Sequence, residues 1–296
     1  MTTSRFPIRS LLAITTAAVA LGLSALPAPV AAADSSATLT RLRDTGVILL
    51  GHRTDSAPFS FVGEQGRPIG YSVDLCERVV AVLRESQKLP SLRVQWVPVT
   101  SANRIDAVTS GKVDLECGTT SATLSRQERV DFSNLIFVDG AGLLARADRG
   151  VKRLSDMAGR RVAVTAGSTT VDVMRQAFKE RSISVELVVV KNELDGLAAV
   201  ETGKVDAYAN DRIVLLGLLR KLKGGVDFVL VDEDASMEPY ALMMRRDPAF
   251  RLAVNRALSR IYRSQAIVEI YDAWFGVLGA PGPLLAAMYY LNATPE

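Results

Sequence analysis

Gly111-Lys112-Val113-Asp114 and Gly203-Lys204-Val205-Asp206 repeat one four-residue phrase at two places in the chain. Each copy follows a stretch of helical periodicity and precedes an apolar extended run. Glycine suits the left-handed position that ends a helix, and Val-Asp then opens the strand. Around the first copy the order is extended 46–51, helical 71–86, extended 92–99, helical 102–110 and extended 113–117. Around the second it is extended 161–165, helical 169–180, extended 184–190, helical 194–202 and extended 205–209. Four matching residues arise easily by chance, so the repeat has weight only because its surroundings agree. Together they predict an α/β protein of two similar lobes.

No stretch reads as a long flexible linker. Extended segments at 136–145 and 240–245 are the expected crossings, which gives one lobe residues 34–140 and 241–296 and the other 141–240, joined by a two-strand hinge. Phe250, Ala253, Val254, Ala257, Leu258 and Ile261 recur at helical spacing and predict a single helix over 248–274, packed on the first lobe. The tail after Gly276 gives no reading.

The chain has 296 residues, 48% hydrophobic and 23% charged, a composition that suits two folded domains. Thirty-five Lys and Arg against thirty-two Asp and Glu give a formal charge of +3, which offers no basis for a nucleic-acid partner. The single histidine, His52, excludes multi-histidine metal sites and any histidine-dependent catalytic arrangement that does not run through it. Two cysteines, Cys76 and Cys117, cannot build a thiolate zinc site, so no metal and no cofactor is expected. A binding protein remains, or an enzyme that works with carboxylates alone.

Arg5 and Arg9 precede an apolar stretch, 11–23, that is shorter than a membrane span requires. Pro27 and Pro29 follow, then Ala31-Ala32-Ala33 before Asp34. Residues 1–33 therefore read as a cleaved secretory leader, and the mature chain is expected to be a soluble periplasmic protein. No cysteine stands at the cut to carry a lipid. The oxidising compartment permits a disulfide, yet Cys76 in a mainly apolar helix and Cys117 at a strand end read as ordinary buried thiols.

Open α/β sheets bind ligands beyond the carboxyl ends of their strands. Four such ends turn polar: His52-Arg53-Thr54-Asp55, Thr100-Ser101-Ala102-Asn103-Arg104, Gly118-Thr119-Thr120-Ser121 with Arg126 soon after, and Thr165-Ala166-Gly167-Ser168-Thr169. Glycine followed by hydroxyl residues at a helix start suits a small anion, and it equally suits a helix N-cap. Arg53, Arg104 and Arg126 could together hold a dianionic ligand, or each could be a surface or ion-paired residue. Asp211 after the last strand suits an ammonium group or a helix cap. His52, after a glycine at a strand end, reads as structural.

On these residues the mature chain resembles the type II periplasmic amino-acid-binding proteins, most closely the glutamate/aspartate-binding proteins of bacterial ABC importers. The resemblance rests on Gly46-Val47-Ile48 through Gly51-His52-Arg53, Pro58-Phe59-Ser60-Phe61, Gly70-Tyr71-Ser72, Thr100-Ser101, Asn103-Arg104-Ile105, Glu116-Cys117-Gly118, Arg126-Gln127, Phe132-Ser133 and Trp274-Phe275. It implies a two-lobed fold that closes on its ligand, delivery to an ABC membrane permease, a monomer and no chemistry on the cargo. It further implies that Arg126, Thr119, Ser121 and Thr169, with Ser168, bind an α-carboxylate and that Asp211 binds the α-ammonium. Arg53, Ser101 and Arg104 would hold a side-chain carboxylate.

One position departs from the resemblance. Where those relatives carry a histidine facing the distal carboxylate, this chain has Glu193, in Lys191-Asn192-Glu193-Leu194-Asp195. An ionised Glu193 there is a like-charge contact that raises the standing of glutamine or asparagine, unless it points to solvent. Two other readings remain open: a dehydratase on the same scaffold with Glu193 as general acid, and a sensory protein that reports ligand rather than carrying it.

Overall fold

The computed structural model describes residues 36–220, 226–233 and 235–295, so the expected leader lies outside the described residues. The chain runs α1 (Ala37–Thr45), β1 (Val47–His52), three short strands β2 (Asp55–Ser56), β3 (Ser60–Val62) and β4 (Pro68–Ile69), then α2 (Tyr71–Ser86), β5 (Arg93–Pro98), α3 (Arg104–Thr109), β6 (Leu115–Cys117), α4 (Leu124–Gln127) and β7 (Asp131–Asp139). It continues with β8 (Ala141–Arg146), β9 (Arg161–Thr165), α5 (Thr170–Glu180), β10 (Glu186–Val190), α6 (Glu193–Glu201), β11 (Ala207–Asp211), α7 (Arg212–Leu219) and β12 (Phe228–Leu230). Last come β13 (Glu238–Met244), α8 (Pro248–Tyr262), α9 (Ala266–Phe275) and α10 (Pro283–Asn292).

Two five-stranded sheets result, ordered β5-β1-β6-β13-β7 and β10-β9-β11-β8-β12. In each, a parallel trio built by strand-helix-strand crossovers is completed by antiparallel strands. The two sheets with their flanking helices form the mixed α/β architecture that the sequence pattern predicts. The chain passes from the first sheet to the second at Gly140, which separates β7 from β8, and returns between β12 and β13.

The repeated Gly-Lys-Val-Asp phrase has one geometry in both places. Gly111 and Gly203 take φ of 77° and 73°, the left-handed region. Val113 and Val205 then donate back to Ala107 O and Ala199 O. Each Asp locks the new strand to its neighbour in both directions. Asp114 N–H donates to Leu49 O at 2.8 Å while its Oδ2 accepts from Leu49 N at 2.8 Å; Asp206 N–H donates to Arg161 O at 2.9 Å while its Oδ2 accepts from Arg161 N at 3.0 Å. The phrase is a strand-register device used once per sheet.

Asp247 ties the start of α8 to the start of α1. Its Oδ1 caps α8 by accepting from Phe250 N at 3.0 Å, and its Oδ2 accepts from Ser36 Oγ at 2.7 Å and Thr38 N at 2.9 Å at the start of α1. Beside the first sheet Phe59, Tyr71, Phe137, Tyr240 and Phe275 form a buried aromatic cluster, with Phe59 4.9 Å from Phe137 and 5.2 Å from Tyr240 between ring centroids. This cluster fixes Tyr240, whose hydroxyl reaches the site described below.

The structure departs from the sequence reading, or completes it, at three places. The helix expected over 248–274 is two helices, α8 and α9, interrupted at 263–265, where Ser264 Oγ accepts from Ala266 N and restarts the chain. The unread tail carries α10, which lies on β7 and brings Tyr289 Oη to 2.7 Å from Tyr71 Oη. Cys76 and Cys117, which read as ordinary buried thiols with a disulfide permitted, form that disulfide with their Cα atoms 6.2 Å apart, because α2 packs on β6 with the two side chains facing.

Candidate functional site

The carboxyl ends of β1, β6, β9 and β11 converge, and the charged side chains just beyond them form one buried cluster with two ends. At the distal end lies Arg53, directly after β1 and only 1% exposed. Its Nη1 donates to Ser101 Oγ at 2.8 Å; its Nη2 donates to Glu193 Oε1 and Oε2 at 2.7 and 2.6 Å and lies 3.3 Å from Asp55 Oδ1. Glu193 is the first residue of α6 and is buried, not solvent-facing. Ser56 Oγ also donates to it at 3.1 Å, and its own N–H donates to Asp55 Oδ2 at 2.9 Å.

The two carboxyls beside Arg53 behave oppositely. Burial and the charge of Glu193 push Asp55 up, with Arg53 offsetting only part. Burial opposes the charge of Glu193 as well, but the Arg53 guanidinium and the hydrogen bonds from its neighbours outweigh it and hold Glu193 below the usual carboxylate range.

Arg104 is positioned by a reciprocal turn in which Thr100 N donates to Asn103 Oδ1 at 2.8 Å and Asn103 N donates to Thr100 Oγ1 at 3.2 Å. That turn starts α3 at Arg104 and aims its side chain inward. Arg104 is buried, and its Nη1 donates to Thr119 O at 3.3 Å while its Nε has no partner. Among the described residues no carboxylate forms an ion pair with it. Burial, then the neighbouring charge of Arg126, lowers its pKa to about 9.

At the proximal end Arg126, on α4, donates from Nη1 to Ser121 O at 3.0 Å and from Nη2 to Gly167 O at 3.2 Å. Burial lowers its pKa, with Glu238, Glu116 and Asp211 acting against that. Asp211 ends β11 and is buried. It stands just before α7 without capping it; its Oδ2 accepts from the Tyr240 hydroxyl and its Oδ1 has no donor. Burial, then the charges of Asp139 and Glu238, push the Asp211 carboxyl well up.

Ser121 and Thr169 both donate to Glu238 Oε2, Thr169 at 2.9 Å, and Ser236 donates to Glu238 Oε1 at 2.7 Å. Thr119 is buried, and Thr120 Oγ1 beside it donates to Glu116 Oε2 at 2.7 Å. Ser168 stands apart, its hydroxyl donating to Thr165 O at 2.7 Å within its own turn. His52 Nδ1 lies 2.9 Å from Arg53 O, and its ring packs edge-on to Trp96.

The structure thus brings Arg53, Ser101, Arg104 and Glu193 to one end, and Thr119, Ser121, Arg126, Thr169 and Asp211 to the other. Sequence reasoning missed Asp55, Ser56, Glu116 and Glu238 as members of the cluster. Asp55 and Glu116 lay inside quoted stretches and could have been drawn from them. Glu238 carried no local signal: besides the adjacent Ser236, the partners that bring it into the cluster, Ser121 and Thr169, stand 117 and 69 residues away.

Residues 48–277 match the bacterial extracellular solute-binding proteins, family 3. The L-glutamate/L-aspartate-binding protein of Pseudomonas aeruginosa is 38% identical over 264 residues, which cover 88% of this chain and 86% of that protein. The glutamate/aspartate import solute-binding protein of Salmonella typhimurium is 32% identical over 265 residues, 88% of each chain. Among solved structures, an ancestral arginine-binding protein bound to glutamine superposes with a TM-score of 0.70 at 26% identity, covering 78% of this chain and 98% of that one.

Proposed function

The chain belongs to the family 3 bacterial extracellular solute-binding proteins, and on that premise we propose that it captures glutamate or aspartate in the periplasm and delivers it to an ABC permease. The matched relatives are solute-binding proteins, not enzymes, so the dehydratase reading falls away. In this reading the two sheets are the cores of two lobes, 34–140 with 241–296 and 141–240, hinged at the two crossings, and the protein works as a monomer after loss of residues 1–33.

One observation carries the proposal. A single buried cluster holds a guanidinium with no anion, Arg104, and a carboxylate oxygen with no donor, Asp211 Oδ1. Buried polar atoms without partners are rare, and each such group is destabilising unless something completes it. An acidic amino acid completes both, with its ammonium on Asp211 and its side-chain carboxylate on Arg104. Its α-carboxylate then falls to Arg126, Thr119, Ser121 and Thr169, with Ser168 supporting the turn. Arg53 and Ser101 frame the distal end together with Glu193.

Micromolar binding corresponds to about 8 kcal/mol, and charge-assisted hydrogen bonds contribute about 1.5–3 kcal/mol each, so reaching it on top of association costs takes several such contacts in a pre-formed site. The pairing of Arg53 with Glu193 favours a second reading, in which glutamine or asparagine competes with the acids. A thermal-shift screen of the refolded protein against the twenty amino acids tests both. The proposal predicts stabilisation by glutamate and aspartate that grows with ligand concentration. A response confined to amino acids outside these four contradicts it.

A further inference from the structure

Glu193 reaches Arg53 from the opposite side of the cleft: α6 packs on the second sheet, while Arg53, Asp55 and Ser56 follow β1 of the first. The contact is extensive, with Arg53 Nη2 at 2.7 and 2.6 Å, Ser56 Oγ at 3.1 Å and a backbone anchor on Asp55 at 2.9 Å. Both side chains are buried, so solvent does not screen the pair. The other Arg53 amino group is taken by Ser101. Arg104 alongside has no ion pair. Glu116, bonded to Thr120 beneath, acts electrostatically on both arginines.

We propose that Glu193 sets the charge of the distal end of the site: by matching Arg53 it leaves Arg104 as the one uncompensated guanidinium there, and so narrows the advantage of a side-chain carboxylate over a carboxamide. The inference rests on the amino-acid reading above and adds a residue that determines specificity within it. Without Glu193 the distal end would hold two guanidiniums against Asp55 alone and would select more strongly for a second negative charge. One guanidinium beside a resident carboxylate selects weakly, because any ligand carboxylate at Arg104 also meets the field of Glu193.

Glu193→Gln tests this with little change of shape, since the amide oxygen still accepts from Arg53 and the backbone bond to Asp55 is untouched. Glu193→Ala is the second variant. Affinities for L-glutamate, L-aspartate, L-glutamine and L-asparagine are measured by isothermal titration calorimetry at pH 8, above the value of about 7 to which Asp55 is raised, so that its charge is the same in every protein. In both variants the preference for each acid over its amide rises by at least about tenfold relative to the wild type, a shift of about 1.4 kcal/mol. A purely structural role for Glu193 weakens all four ligands alike, and an unchanged preference in both variants overturns the proposal while leaving the amino-acid reading intact. Failure of the wild type to bind any of the four overturns the reading itself.

Discussion

Gly167 and Ala102 approach so closely that a Cβ on Gly167 would lie 2.6 Å from Ala102 Cα and the same distance from Ser101 O. Gly167 belongs to the turn after β9 of the second sheet, and Ala102 to the turn before α3 beside the first. Its φ of +74° is a second reason for glycine there. Gly167→Ala is therefore expected to hold the two sheets apart while leaving each intact. If only a minor fraction of the molecules can close, amino-acid affinity falls by that fraction, about tenfold or more, with the melting temperature changed by only a few degrees. Calorimetric titration with small-angle scattering checks this; wild-type affinity in the variant would contradict it.

With the ligand ammonium on Asp211, binding is expected to be proton-linked. Its raised pKa means that the folded protein keeps a proton that the unfolded chain releases in the ordinary carboxylate range, so ionising Asp211 as pH rises disfavours the folded state. An ammonium arriving at Asp211 reverses the effect and expels the proton. Affinity is expected to strengthen as pH rises between the ordinary range and the raised value, and binding heats should differ between phosphate and Tris buffers in the sense of proton release. Asp211→Asn should weaken binding by about tenfold to a hundredfold, the loss of one charge-assisted hydrogen bond, and remove the buffer dependence. Equal heats in the two buffers would contradict this assignment.

Arg104 is expected to give up stability for binding. A buried cation without an anion is destabilising, and an apolar side chain of similar length relieves that burden. Arg104→Met should leave the free protein as stable as the wild type or more so, by up to about 1–3 kcal/mol, while weakening glutamate about tenfold to a hundredfold. Denaturant unfolding and titration measure the two effects separately. A destabilised variant with unchanged affinity would place Arg104 in a structural role.

Much of the fold was legible because its signals are local. The helix expected over 71–86 and the strand over 161–165 coincide with α2 and β9, since apolar periodicity and flanking glycines or turns bound them within a few residues. The Gly-Lys-Val-Asp phrase was legible as a helix-to-strand turn, though not as a register lock, because the locking partners Leu49 and Arg161 stand 65 and 45 residues away. The break between α8 and α9 was hidden because apolar positions continue on both sides of it and one serine hydroxyl makes the interruption. In the site, arginines at strand ends announced themselves by chemistry. Glu238 and the pairing of Glu193 with Arg53 did not, because each depends on how the two sheets face one another.

The disulfide joins positions separated by 41 residues. Chain entropy alone assigns such a loop about 4 kcal/mol, and measured disulfides commonly deliver about 2–4 kcal/mol. Replacing Cys76 and Cys117 together by Ala should lower unfolding stability by that amount without altering ligand preference, because the bond links α2 to β6 and touches none of the charged cluster. Denaturant unfolding of oxidised, reduced and double-variant protein checks this. Identical curves for all three would show that the bond does not restrain the unfolded chain.

An acidic amino acid gripped at both ends, its ammonium by Asp211 and its carboxylates by Arg126 and Arg104, should need all three of its charges for tight binding. Calorimetric titration of the refolded wild type with L-glutamate and, separately, with glutarate tests it most directly, since glutarate keeps both carboxylates and lacks only the ammonium. Micromolar or tighter binding of glutamate and at least about tenfold weaker binding of glutarate are expected. Equal affinities, or no heat with glutamate, would contradict it.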